Sequence, residues 1–204
     1  MCIRDSRNVP STKLLIPENG VIAINAPLTH RRIGAASTRT THPHYLQSLR
    51  RCFNAVGIKA DIHNPFVFKT KGEMIIKSSH RTLLDPLIPN TVSCGHFKRN
   101  WKQCGRCLPC LIRRSANHAA GIVEPIGTYE PDADDLTRVT GNDGTSQDVY
   151  AVRCALRTHT AKKIPLWVQK AGPLDGQDPD LTYAVVDRGF EEIRSFFKHQ
   201  GVSP

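Results

Sequence analysis

The chain has 204 residues, 39% of them hydrophobic, and a net charge of +10. That length suits one domain or one domain with an appendage. It excludes a bilayer-spanning segment, since no apolar run approaches the about 18 residues such a span needs, and residues 1–6 lack the apolar core of a secretory signal. Aromatics make up 6% of the chain and no dense basic run is interleaved with them, which argues against a single-strand stacking platform. The excess charge points to a nucleotide's phosphates or an acidic ligand, with nucleic acid open but not favoured. Seven cysteines without an export signal favour a reducing cytoplasm and metal binding over disulfides.

In chain order, residues 13–25 read as a short strand, a polar loop at Pro17-Glu18-Asn19-Gly20 and an apolar run. Ser37-Thr38-Arg39-Thr40-Thr41-His42-Pro43 is dense in hydroxyls and precedes a helix over about 43–56, with Pro43 suited to its first turn and Gly57 to its stop. Residues 58–68 read as a strand ending near Asn64-Pro65-Phe66. Thr70 and Glu73 are spaced as a capping box and open a helix expected to end before Asp85-Pro86. A further helix is expected over about 108–120, with Arg113, Arg114, Asn117 and His118 on its polar positions. Strand–helix–strand–helix order predicts an α/β sheet. Beyond residue 121 come loops, then helices near 148–157, 165–171 and 182–199. The last carries an apolar stripe (Val185, Val186, Phe190, Ile193, Phe196, Phe197) expected to pack on the α/β part. Cys52 and Cys154 are expected as ordinary buried thiols.

The most informative motif is Cys104-Gly-Arg-Cys107-Leu-Pro-Cys110 with Cys94 upstream. Two successive CxxC spacings bring three sulfurs to one tight turn, and Cys94 closes a tetrahedron from the preceding loop. The pattern reads as a four-thiolate zinc site with no open position. An iron–sulfur cluster is the lesser alternative, unpaired structural cysteines or disulfides the plainer one, and His96 an alternative ligand. His96, Lys98, Arg99, Lys102 and Arg106 are expected to offset the thiolate charge.

Ser93-Cys94 followed by Cys104-Gly-x-Cys107-x-x-Cys110-x-x-Arg113 resembles the zinc motif of the QueC family, the 7-cyano-7-deazaguanine synthases. Glu18-Asn19-Gly20, Pro27-Leu28, the run 37–43, Asn64-Pro65, Thr70-Lys71-Gly72-Glu73-Met74 and Arg188-Gly189-Phe190-Glu191-Glu192 are similar to the QueC-like branch of Qat-type anti-phage defence operons. The resemblance covers about residues 13–200. It implies a Rossmann-like PP-loop core, zinc, ATP and a 7-deazaguanine-type substrate. The carboxylate of 7-carboxy-7-deazaguanine would be activated as an adenylate, giving a nitrile or a product amide-linked to a protein partner from a defence operon. The family's phosphate loop, S-G-G-x-D-S, does not occur in the 204 residues. The chain is therefore expected to be the C-terminal part of such an enzyme and to lack synthase activity alone. Its expected parts are 7–121 (α/β domain with zinc knuckle), 122–147 (linker and loops) and 148–204 (helical extension).

The resemblance implies Lys71 as a catalytic residue, neutralising phosphate or acyl-adenylate charge; the plainer reading is a solvated lysine. Arg39, Thr40 and His42, with Thr38, are candidates to hold a carboxylate or phosphate, or are a turn rich in hydroxyls. Glu18 and Asn19 are candidates to read a base edge, or are a β-turn. Arg113 either supports the zinc loop or reaches the nucleotide. The rival classes are a zinc-stabilised, non-catalytic nucleic-acid or protein binding module and, less favoured, a thiol redox protein.

Overall fold

The computed structural model describes residues 12–26, 39–97, 101–133, 135–138, 144–160 and 162–203. Strand β1 (Thr12–Leu15) pairs in parallel with β2 (Ala60–His63), Leu14 opposite Ile62. Between them lie α1 (Gly20–Ile24) and α2 (Pro43–Ala55). These are followed by α3 (Lys71–Ile76), α4 (Arg81–Leu87) and α5 (Leu108–Ala119). After 3-10 turns at Pro131–Ala133 and Leu136–Arg138 come α6 (Gly144–Thr158), α7 (Ile164–Gln169) and α8 (Pro179–His199). The class is mixed α/β with a short parallel sheet, two-stranded among the described residues. No described helix is long and apolar enough to cross a membrane.

Local chemistry explains most element boundaries. The Asn19 side chain accepts from the Ile22 amide and caps α1, and the His42 ring does the same for the amide of His44 at α2. Thr70 and Glu73 form the reciprocal capping box at α3, two orphan amides satisfied at once. The segment expected to be one helix over 70–84 is instead two, broken at residues 77–80. Ser78 explains the break: its hydroxyl accepts from the His80 amide at 3.3 Å, the local bond by which serines compete with helical pairing. Pro86 lies inside α4 rather than beyond it. It stands near the end of α4, where its missing N–H forgoes the bond to the Thr82 carbonyl, while Arg81 and Asp85 brace the helix four residues apart at 2.6 Å.

The core is built around α5, whose residues 110–117 are all buried. Leu111 and Ile112 join Val152 and Leu156 of α6, Ile164 and Val168 of α7, Phe190, Ile193 and Phe197 of α8, and Ile24 of α1 in one apolar cluster. The stripe of α8 is thus buried as expected, every member at or below 4% exposure. Tyr129, Ala133 and Leu136, from the stretch read as linker, are buried too. Arg113, Arg114 and Asn117 do not occupy a solvated polar face: all three are buried, because α5 is enclosed on nearly every side. Cys52 and Cys154 are exposed rather than buried. On α2 the buried residues are Pro43 and Leu46 alone, and Cys154 falls on the outer side of the α6 stripe of Val149, Val152, Ala155 and Leu156.

Gly20 marks a close approach. A Cβ there would stand 2.1 Å from the Val67 carbonyl oxygen and 2.8 Å from Val185, whereas one at Gly95 would meet nothing within 4 Å. Gly20→Ala is expected to lower stability by about 1–3 kcal/mol, the usual scale of overpacking. Gly95→Ala should stay within about 0.5 kcal/mol. Urea unfolding of the two variants beside the wild type measures the contrast.

Candidate metal centre and its surroundings

Cys94 ends the loop after a 3-10 turn at Ile88–Asn90, Cys104 and Cys107 lead into α5, and Cys110 sits in its first turn. All four are buried, and their sulfurs lie within 4.8 Å of one another, a group that could hold a metal ion. The Cys104–Cys110 and Cys94–Cys107 sulfurs are each 4.0 Å apart. Tetrahedral bonds of about 2.3 Å to a central ion require sulfurs about 3.8 Å apart, so the donors are already arranged for one. Backbone amides of His96 and Cys104 point at the Cys94 sulfur (3.3 and 3.2 Å), and that of Cys107 at the Cys104 sulfur (3.3 Å). Gly105 makes the turn with φ +70°, and a Cβ there would lie 2.5 Å from Ala133.

Crowding decides the protonation of this cluster. Hydrogen bonds from Cys107 and Cys110 hold the Cys104 thiol well below its usual range. Cys107 is pushed up to about 12 by its bond to Cys104, and Cys110 is raised by its bonds to both neighbours. One thiolate is tolerated and further negative charge is opposed until a cation enters. The expected counter-charges are partly elsewhere. Arg106 pairs with Glu130 at 3.4 Å, Lys102 is exposed, and Lys98 and Arg99 lie outside the described residues. His96 is not among the four grouped ligands.

Two consecutive arginines of α5 tie down the loops on either side. Arg113, 1% exposed, bonds Glu124 (Nε, 2.7 Å), the Thr91 carbonyl and hydroxyl (2.7 and 2.6 Å) and the Ile88 carbonyl (2.7 Å). Arg114 donates to the Gly105 and Ala133 carbonyls (3.1 and 2.7 Å) and lies over the rings of Tyr129 and Phe196. The Leu108 amide at the start of α5 is taken by Asp148 of α6 at 3.0 Å.

Lys71 opens α3 beside this centre and donates to the Ser93 hydroxyl at 3.0 Å, next to Cys94. Burial lowers its pKa, opposed by Glu18 and reinforced by Arg113. Lys71 thus feels the charge of both Glu18 and Arg113. The base-reading groups of Asn19 are otherwise engaged: its carbonyl oxygen caps α1 and its amide donates to Glu18 Oε1 at 2.8 Å.

Residues that the sequence reading had not weighed as site residues hold the Lys71 element in place. Glu192 of α8 accepts from the Thr70 hydroxyl and from the Gly72 amide at 3.4 Å. Arg188 bonds Glu73 at 2.7 Å and the Phe68 carbonyl at 2.9 Å. Only the run Arg188–Glu192 within the resemblance signalled them.

Arg39, Thr40 and His42 face a different turn. Arg39 donates to the Ala171 carbonyl at 2.6 Å, Thr40 is exposed, and buried His42 packs on Gly172. Thr38 lies outside the described residues. Burial, then Arg39, holds the His42 imidazole down to about 4, and its Nε2 has no hydrogen-bond partner among the described residues.

A parallel α/β fragment with a closed four-cysteine cluster leading into a helix narrows the class, and the comparisons agree. Residues 40–121 match the family model described as queuosine biosynthesis protein QueC. Stretches of 90 residues are 34% identical to the 7-cyano-7-deazaguanine synthases of Rickettsia akari and Rickettsia prowazekii, covering 41% of this chain and 38% of each of those proteins. A stretch of 76 residues is 38% identical to the enzyme of that name from Paracoccus denitrificans, over 37% of this chain and 30% of that protein. The matches thus span well under half the length of these relatives. No solved structure matches the chain. The match to the QueC family covers residues 40–121, and Lys71, Arg113 and the four cysteines all fall within it.

A buried neutral histidine makes stability depend on pH. The unfolded His42 takes a proton near 6.5 and the folded one only near 4. Between those values the unfolded state binds more protons, so stability is fully present above about 6.5 and falls as pH drops through the window. The loss is expected to reach about 2–3 kcal/mol. His42→Asn, which keeps a capping acceptor, should flatten that part of the stability–pH curve measured by urea unfolding at pH 4–7.

Proposed function

We propose that this chain carries the zinc-bearing part of a QueC-like synthase. The full-length protein would use ATP to activate the carboxylate of 7-carboxy-7-deazaguanine as an adenylate. The carbon–nitrogen product would be a 7-cyano or amide-linked deazaguanine. The observation that carries the reading is the QueC match over residues 40–121, which contains both the cysteine cluster and Lys71. The parallel strands, with ligand loops at their carboxyl ends, suit a Rossmann-like PP-loop core.

The donor set fits zinc. Four thiolates close a tetrahedron and leave no position for a water or substrate, so the ion is structural. It would fasten Cys94 to the start of α5 and thereby hold Ser93 against Lys71. Lys71 is the group poised for chemistry. Held beside Ser93 and largely desolvated, its ammonium would neutralise charge developing on the acyl phosphate. An amide-linked outcome, with a protein amine in place of ammonia, suits the phage-defence branch that the runs 37–43 and 188–192 resemble. A nitrile product suits 7-deazapurine metabolism. Either places the protein in the reducing cytoplasm, where free thiolates persist.

Elemental analysis of the purified chain is expected to show one zinc per chain. Cys107→Ser should release it and unfold the surrounding loops, because structural zinc contributes folding energy directly. A metal-free chain with full native circular dichroism contradicts this. The chemistry is tested by ATP–pyrophosphate exchange on the full-length polypeptide. Exchange should require 7-carboxy-7-deazaguanine and fall by roughly 100-fold or more in Lys71→Met. Exchange indifferent to the deazaguanine, or none, overturns the reading.

A further inference from the structure

Closing the cysteine cluster requires the chain to loop from Cys94 to Cys104, but it does not require an aromatic residue on the outside of that loop. Trp101 stands there 75% exposed with φ +54°, a backbone region that a bulky side chain rarely enters. Its amide donates to the Phe97 carbonyl at 2.8 Å, and the two rings meet edge to face at 5.9 Å. The end of the loop is fixed by Gln103, which is 3% exposed. Its side chain accepts from the Ser93 amide at 3.1 Å and donates to the Thr91 carbonyl at 3.3 Å, and its own carbonyl takes the Glu130 amide at 2.9 Å. The indole is therefore mounted on a fixed base, with most of its surface open to solvent.

The charge along this part of the chain is one-sided. No acidic residue occurs between Asp85 and Glu124, a stretch that contains Lys98, Arg99, Lys102, Arg106, Arg113 and Arg114. The acids beyond its ends are already paired: Asp85 with Arg81, Glu124 with Arg113, and Glu130 with Arg106. The cysteine sulfurs are buried and receive backbone amides, whereas Lys102, next to the indole in sequence, is exposed. Residues 96–102 (His-Phe-Lys-Arg-Asn-Trp-Lys) also interleave aromatic and basic side chains, which corrects for this one loop the expectation drawn from overall composition. We propose that the outer face of the knuckle binds single-stranded RNA, one base stacking on Trp101 and a neighbouring phosphate meeting Lys102. An open indole accepts the face of any unpaired base, and RNA loops present such bases unstacked. A duplex keeps its bases stacked on one another and offers no face to a single ring. A protein interface fits less well, because such interfaces deplete lysine. The proposal stands independently of the synthase reading, since it concerns a surface that the reaction does not use.

Fluorescence anisotropy of a short labelled RNA strand of mixed, unpaired sequence, titrated with the zinc-loaded chain, tests the assignment. The strand should bind with an affinity that falls as salt rises, and an RNA duplex of the same length should bind at least about tenfold more weakly. Trp101→Ala should weaken binding of the strand by about fivefold to a hundredfold, while Trp101→Phe, which keeps a stacking face, should stay within about threefold. Lys102→Gln should lower the slope of log affinity against log salt by about 0.7, the share of one phosphate contact on a single strand. Zinc content and circular dichroism check that the variants fold, and Lys102→Gln decides the matter should Trp101→Ala fail to do so. Duplex bound as tightly as the strand, salt-independent binding, or binding indifferent to the folded variants overturns the assignment. No RNA binding by the wild type also overturns it and leaves the surface to a protein partner.

Discussion

Four sulfurs packed within 4.8 Å cannot all carry charge unless a cation sits among them, and the rest of the structure depends on how that conflict is met. The cluster straddles the start of α5, the most buried helix of the chain. An ion bound there fixes the loop bearing Cys94 to that helix. The helix in turn contacts α3, α6 and α8. Metal entry would have to displace the protons that crowding holds on Cys107 and Cys110, so binding would depend on pH and would be linked to folding.

From that anchor the coupling runs outward through α8. Gly189 lets α8 lie against Val21 of α1, since a Cβ would approach its side chain to 2.3 Å. One turn along, Glu192 satisfies Thr70 and Gly72 at the start of α3, and Arg188 holds Glu73, the other half of the capping box. Isolated six-residue helices are unstable in water. The helix that presents Lys71 therefore owes its order to a partner about 120 residues later in the chain. The C-terminal extension is thus structurally part of the Lys71 site, although it lies beyond the matched segment.

What was legible in the sequence follows from how local each signal is. The capping box at Thr70–Glu73, Pro43 at the start of α2 and the apolar stripe of α8 depend on spacings of a few residues, and all appear where the spacing put them. The cysteine cluster was legible because metal ligation imposes its own spacing. The break between α3 and α4 was not, because serine's competing backbone bond is about as strong as the helical one it replaces. Nor was the exposure of Cys52 legible: only tertiary packing decides which side of α2 is covered. The roles of Glu192 and Arg188 depend on contacts across a hundred residues or more, for which periodicity carries no information.

The two cations drawn to this centre divide the work according to their chemistry. Arg113 is 1% exposed and spends its guanidinium on Glu124, Thr91 and Ile88. A planar fork with several fixed donors suits such a buried hub. Four bonds occupy most of its five N–H donors and tie Arg113 to the loop ahead of Cys94. Lys71 differs on each count. Among the described residues its one side-chain bond goes to Ser93, and burial lowers its pKa. An ammonium with two donors left over and an incomplete hydration shell gains most from meeting an anion. The arginine thus braces the loop bearing Thr91, two residues before the Ser93 hydroxyl that takes the lysine's bond.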